Sequence, residues 1–143
     1  MGDILELSPE AAAEQLVARG GEWARRCLDE LERLLRRGQL ARLMTAWNLS
    51  GAGAARVFGV SRQAFAKWLR GDPPADRSAA IADLDAATEL LVRYLKRERI
   101  PAVVRRPAPA LANRSLLDIA AAGETREVLA HVREMFDLRR VQP

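Results

Sequence analysis

The sequence has a single cysteine, Cys27, and a single histidine, His131. One cysteine leaves no intramolecular disulfide, which fits a reducing cytoplasm. A zinc site draws on three or four Cys, His or carboxylate ligands, so a zinc finger is excluded and no metal or other cofactor is expected. The N-terminus carries Asp3 and Glu6 without a basic segment, unlike a signal peptide. Long apolar runs are missing too. The longest charge-free stretch, Leu43 to Ala55, has 13 residues and contains Asn48 and Ser50. It is too short and too polar to span a bilayer. Alternating β-branched runs are absent, while Ala, Leu, Arg and Glu abound, so the expected fold class is all-α.

The most informative absence concerns charge of one sign. No acidic residue stands between Glu32 and Asp72. The same window holds Arg33, Arg36, Arg37, Arg42, Arg56, Arg62, Lys67 and Arg70, a net +8 in a chain whose total is only +4. A basic segment concentrated in an otherwise acidic protein is the footprint of a polyanion binder, although a solvated basic face has the same composition.

Stop and start signals divide the chain. Ser8-Pro9-Glu10 suits a helix start, and Gly20-Gly21 breaks that helix. A second helix is expected from about Glu22 to Arg37. Its stripe of Ala24, Cys27, Leu28, Leu31, Leu34 and Leu35 has the spacing of a packing face, and Gly38 ends it. Three short helices follow, at Gln39–Trp47, Gly51–Phe58 and Ser61–Arg70, closed by Gly71-Asp72-Pro73-Pro74. A long helix from about Arg77 to Arg97 places Ile81, Leu84, Thr88, Leu91 and Leu95 in a seam for the core or for a second copy. Pro101, Pro107 and Pro109 mark a non-helical connector with an extended Val103-Val104. Asn113 or Ser115 caps a helix to about Ala122, and a last helix runs from Glu124 to Phe136. The tail from Asp137 to Pro143 is expected to be mobile. The segments are then 1–37, an N-terminal helical extension; 38–76; and 77–143, a small helical C-terminal part suited to dimerisation.

Residues 51–70 carry the most specific pattern. A helix-turn-helix needs a small residue at the helix crossing, glycine at the turn and apolar residues at fixed offsets. With Gly59 at the turn, Ala55 falls at the crossing. Ala54, Phe58, Val60, Phe65 and Trp68 supply the buried faces, and Ser61 caps the second helix. Its other face reads Arg62, Gln63, Ala66, Lys67 and Arg70. Arginine matches guanine acceptors and glutamine matches adenine in the major groove, and recognition helices read bases from their N-terminal residues. Arg62, Gln63 and Lys67 therefore approach bases or adjacent phosphates, and Ala66 a thymine methyl. Arg56 and Arg70 hold phosphates, with Arg42 as a weaker candidate. An ordinary helical hairpin fits the offsets as well, but it does not account for their coincidence with the acid-free window.

Other chemistry finds little support. Gly51-Ala52-Gly53 begins a dinucleotide fingerprint but lacks the third glycine and a preceding strand. Cys27 and His131 pair a nucleophile with a base only on paper, since Cys27 lies on the apolar stripe. Trp23, Trp47 and Trp68 have apolar neighbours and read as core. Asp83 and Asp85 are two apart and diverge on a helix. No catalytic constellation remains, and no enzyme is expected.

Val60-Ser61-Arg62-Gln63-Ala64-Phe65 followed by Trp68-Leu69-Arg70-Gly71 resembles the recognition helix of Xre-type regulators. Pro107, Leu111, Ser115, Leu117 and Gly123 follow in an order similar to the C-terminal domain of the Xre/MbcA/ParS antitoxins, with Asn113 and Leu116 at positions where that family has Gly and Pro. The resemblance spans about residues 38 to 136. It implies a bacterial, cytoplasmic, nucleoid-associated antitoxin of a type II toxin–antitoxin system, with an Xre-like helix-turn-helix domain at 38–76. Such a protein represses its own operon as a homodimer on an inverted repeat of double-stranded DNA. It also neutralises a RES-domain toxin that consumes NAD. A second acid-free stretch, Arg99 to Leu117, offers Arg105, Arg106, Arg114 and Ser115 for that contact, while flanking DNA and forming a solvated loop are its other readings. The alternative is a free-standing helix-turn-helix regulator with no toxin partner.

Overall fold

The computed structural model describes residues 4–137. Among them the secondary structure is helical, with no β-strand and one isolated bridge between Ala108 and Arg114. The helices are α1 (Pro9–Ala18), α2 (Gly21–Trp47), α3 (Gly51–Phe58), α4 (Arg62–Leu69), α5 (Ser78–Tyr94), α6 (Ile100–Arg105), α7 (Leu116–Ala121) and α8 (Thr125–Met135). Apart from Asp137, the tail expected to be mobile lies outside the described residues.

Local chemistry sets most boundaries. Ser8, Ser50, Ser61 and Ser115 each cap a helix by accepting a backbone N–H from three residues ahead. Asp118 completes a capping box with Ser115. Gly59 ends α3 with φ 64°, a left-handed conformation that glycine adopts without a Cβ clash.

Two expected boundaries differ. Gly38 does not end a helix: the helices expected at 22–37 and 39–47 are one, α2, which crosses residue 38. A glycine inside a helix costs about 1 kcal/mol relative to alanine. Leu40, Leu43 and Trp47 follow it and are essentially fully buried, each a gain of about 1.5–3 kcal/mol, so continuation wins. Pro101 does not mark a non-helical connector either. It stands in the first turn of α6, where its missing N–H has no partner to lose, and Val103 and Val104 are helical rather than extended.

One hydrophobic cluster runs from α2 to α8. Leu40, Leu43 and Trp47 of α2 meet Ile81, Leu84 and Leu91 of α5, with Val128 and Val132 of α8 closing the other side. The α5 seam at Ile81, Leu84, Thr88 and Leu91 is thus buried within the chain. Thr88 satisfies its hydroxyl by donating to the Leu84 carbonyl at 2.7 Å. Asp83 and Asp85 do diverge: Asp83 accepts from Thr125 on α8 at 3.1 Å, and Asp85 from Arg42 on α2 at 2.8 Å. The stripe expected to pack along the first half of α2 is not in the core. Trp23, Leu28, Leu31, Leu34 and Leu35 are exposed, and Cys27 is only half-buried. Trp47 and Trp68 are buried as expected, whereas Trp23 is not.

Candidate nucleic-acid interface

Helices α3 and α4 are eight residues each, joined by Gly59, Val60 and Ser61. The Val60 N–H donates to the Ala55 carbonyl at 3.0 Å, which folds the turn back on α3. Between the helices sits an aromatic cluster. Phe58 and Phe65 stack at 6.0 Å between centroids, and Trp68 lies edge-on to Phe58 at 5.6 Å. Phe65 is 1 % exposed, so these contacts fix how α4 sits on α3.

Two arginines hold this pair to the rest of the chain, and neither role was legible from spacing. Arg77 donates to the Phe58 carbonyl at 2.9 Å and places its guanidinium 5.9 Å from the Trp68 ring. It therefore ties the end of α3 to α4 through a residue 19 positions away. Arg33 of α2 donates to the Gly71 carbonyl just beyond α4 and also pairs with Glu30. That hydrogen bond to Glu30 holds the Glu30 carboxyl below its ordinary range. Gly71 has φ 132°, and a Cβ there would meet the Arg33 guanidinium.

On the outer side of α4, Arg62, Gln63, Lys67 and Arg70 are exposed and Ala66 is half-buried. At 100° per residue all five fall on one face, opposite Phe65 and Trp68. None of the four polar side chains has a hydrogen bond or ion pair within the described residues. A shallow hollow of about 360 Å³ lies along this face between Gly51 and Leu69, lined by Arg62, Gln63 and Ala66. Ser61, exposed at the start of α4, caps the helix: its oxygen accepts the Ala64 N–H at 3.0 Å. Arg56 is exposed at the end of α3 and close enough to Asp118 of α7 to help lower its pKa. Arg42 lies apart from the face, hydrogen-bonded to Asp85.

The C-terminal candidates separate. Arg105 donates to the Trp47 carbonyl at 2.7 Å and to that of Asn48 at 2.9 Å, closing the C-terminus of α2. Arg114 pairs with Glu124 at 3.2 Å. Ser115 is buried in the capping box of α7, where its backbone N–H and hydroxyl hold Asp118 below the ordinary carboxylate pKa. Of the four, only Arg106 is left exposed without such a partner among the described residues, beside a hollow of about 360 Å³ lined by Val103, Leu111 and His131. Cys27 and His131 are not brought together: Cys27 lies on the α2 stripe, and His131 on α8 has Glu134 at 3.8 Å. Among the described residues no group of three His, Cys, Asp or Glu is placed to hold a metal ion, and no helix is long and apolar enough to cross a membrane.

Comparison with known proteins finds no matching family model, no matching curated protein and no matching solved structure.

Proposed function

We propose that this chain is a sequence-specific DNA-binding regulator that inserts α4 into a major groove and acts as a homodimer on an inverted repeat. The observation that carries the reading is the outer face of α4. Arg62, Gln63, Lys67 and Arg70 project together, unneutralised by any acid among the described residues, from a helix seated on buried aromatics. A solvated surface helix also keeps a polar face; the weight here lies in this face carrying bases and no acid, within the acid-free window. Rigid presentation matters because base-edge hydrogen bonds reward only side chains already held in register. The test is selection from sheared genomic DNA of the source organism at moderate salt, followed by sequencing. Recovery of promoters that share an inverted repeat, lost with Arg62→Ala, is the expected result. Random recovery by both proteins overturns it.

The family resemblance adds a second activity to the proposal, neutralisation of a RES-domain toxin. Three of the four residues it pointed to are engaged within the chain, so the exposed Arg106 beside the Val103, Leu111 and His131 hollow is the contact to test. Co-expression with the product of an adjacent gene discriminates the readings. A stable complex weakened by Arg106→Glu supports an antitoxin. Operator binding without any such complex supports a free-standing regulator.

A further inference from the structure

The first half of α2 carries an apolar stripe that the chain leaves open. Trp23, Leu28, Leu31, Leu34 and Leu35 are 50 %, 54 %, 52 %, 41 % and 57 % exposed. Further along the same helix, Leu40, Leu43 and Trp47 are fully buried in the core. At 100° per residue, the set Leu40, Leu43 and Trp47 and the set Ala24, Leu28, Leu31 and Leu35 centre about 120° apart around the helix. The stripe is turned away from the core-facing side of α2, and a hollow of about 1080 Å³ opens beside Trp23, Cys27 and Leu31. An open apolar stripe about 20 Å long is the mark of an interface rather than of a solvated surface.

We infer that this stripe is where two copies of the chain join, with the two α2 helices antiparallel. Ala24, Leu28, Leu31 and Leu35 step by four, three and four residues, the repeat of a coiled-coil seam. In an antiparallel pair Leu28 lies across from the partner's Leu31, and Ala24 from the partner's Leu35. One flank of that seam then places Arg25 against the partner's Glu32, and the two-fold axis repeats the pair. The other flank is apolar and sets Cys27 against the partner's Leu34. A parallel pair gives neither match, because it brings Cys27 and Leu34 toward the partner's Glu32 and Gln39. Arg25 and Glu32 are both exposed and form no ion pair among the described residues, which leaves both to face this pairing. The charge pattern thus selects a second copy, and one orientation of it, over an unrelated apolar helix. This inference places the dimer interface of the function proposed above, but it does not require that the chain bind DNA.

The experiment is light scattering on the full chain at micromolar concentration, with variants and a crosslink. The wild type is expected to run as a dimer. Leu31→Glu is expected to be monomeric with unchanged helical circular dichroism, because Leu31 takes no part in the chain's own core, and its thermal midpoint is expected to lose the concentration dependence that a dimer shows. Arg25→Glu is expected to weaken the dimer several-fold, and Arg25→Glu combined with Glu32→Arg to restore it. Under mild oxidation Leu34→Cys is expected to crosslink to the partner's Cys27 and to lose that crosslink with Cys27→Ser. A monomeric wild type, a dimer indifferent to Leu31→Glu, or a crosslink joining Cys27 to the partner's Cys27 overturns the inference. None of these outcomes depends on DNA, so the failure of one proposal does not carry the other with it.

Discussion

Arg105 shows how far a charge can be from the role its neighbourhood implies. It stands in an acid-free stretch that suggests a partner protein, yet its guanidinium donates to the carbonyls of Trp47, Asn48 and Pro101. These include the otherwise orphaned end of α2, a backbone demand that no sequence window around residue 105 contains. Arg105→Ala is expected to cost about 1–3 kcal/mol of folding stability, read by urea titration, because it strips charge-assisted hydrogen bonds from a helix end. Asp118 gives a pH prediction with a definite sign. Hydrogen bonds from the backbone and side chain of Ser115, with Arg56 and Arg114 nearby, hold its pKa below the ordinary 3.8. The folded state therefore favours the carboxylate. The capping box contributes fully above that ordinary value and fades as the pH falls through the lower folded one. Stability measured against pH should show that acid-side loss in the wild type and a smaller one in Asp118→Ala.

At the scale of the element, α4 divides into a face that folds and an outer face that the proposal assigns to DNA, and the two predict different losses. Phe65→Ala empties a site that is 1 % exposed and should cost roughly 3–5 kcal/mol of stability. Arg62→Ala and Gln63→Ala should leave stability nearly unchanged, cost about 1–3 kcal/mol of operator affinity each, and relax the preferred base. Arg56→Ala should weaken all DNA sequences alike and reduce the salt slope by about one per subunit. Competition binding at several salt concentrations separates the two classes. The element α2 carries a prediction of the opposite sign. Gly38 sits inside the helix with nothing within 4 Å of where a Cβ would stand. Gly38→Ala is expected to stabilise the protein by about 0.5–1 kcal/mol, seen as a higher thermal midpoint. A helix terminus at residue 38 would give no such gain.

At the scale of the molecule, the helices from the second half of α2 through α8 share one hydrophobic cluster. They should therefore unfold together, with Trp fluorescence and far-ultraviolet circular dichroism giving coincident urea midpoints. Two separated transitions would mean that α3 and α4 are a unit apart from α5–α8. If the two proposals hold jointly, the helix pair also sets the operator geometry. Its two-fold axis falls between Asp29 and Glu30, so the two copies of Leu40 lie about 32 Å apart along α2, comparable to the ~34 Å between successive major grooves.

Much of this was legible in the residues because it is local. Composition excluded strands, the serines at 8 and 61 announced their caps, Ser115 stood with Asn113 as one of two candidate caps, and the offsets around Gly59 located α3 and α4 and the outward set of Arg62, Gln63, Lys67 and Arg70. Those features depend on backbone conformation and helical periodicity, which a few neighbouring residues determine. The rest was decided by what lies across space. Leu28, Leu31 and Leu35 have the same spacing as Ile81, Leu84 and Thr88, yet the first set is exposed and the second buried. Periodicity says that a helix has an apolar face; only packing says whether anything covers it. Likewise Gly38 continues a helix because Leu40, Leu43 and Trp47 beyond it have a core to enter, and Arg105 is a clamp because α2 happens to end beside it. The sequence by itself determined the helices and the chemistry of each face. The tertiary structure decided which faces are used up within the chain and which are left for something else, because burial is a property of distant residues meeting and not of either one alone.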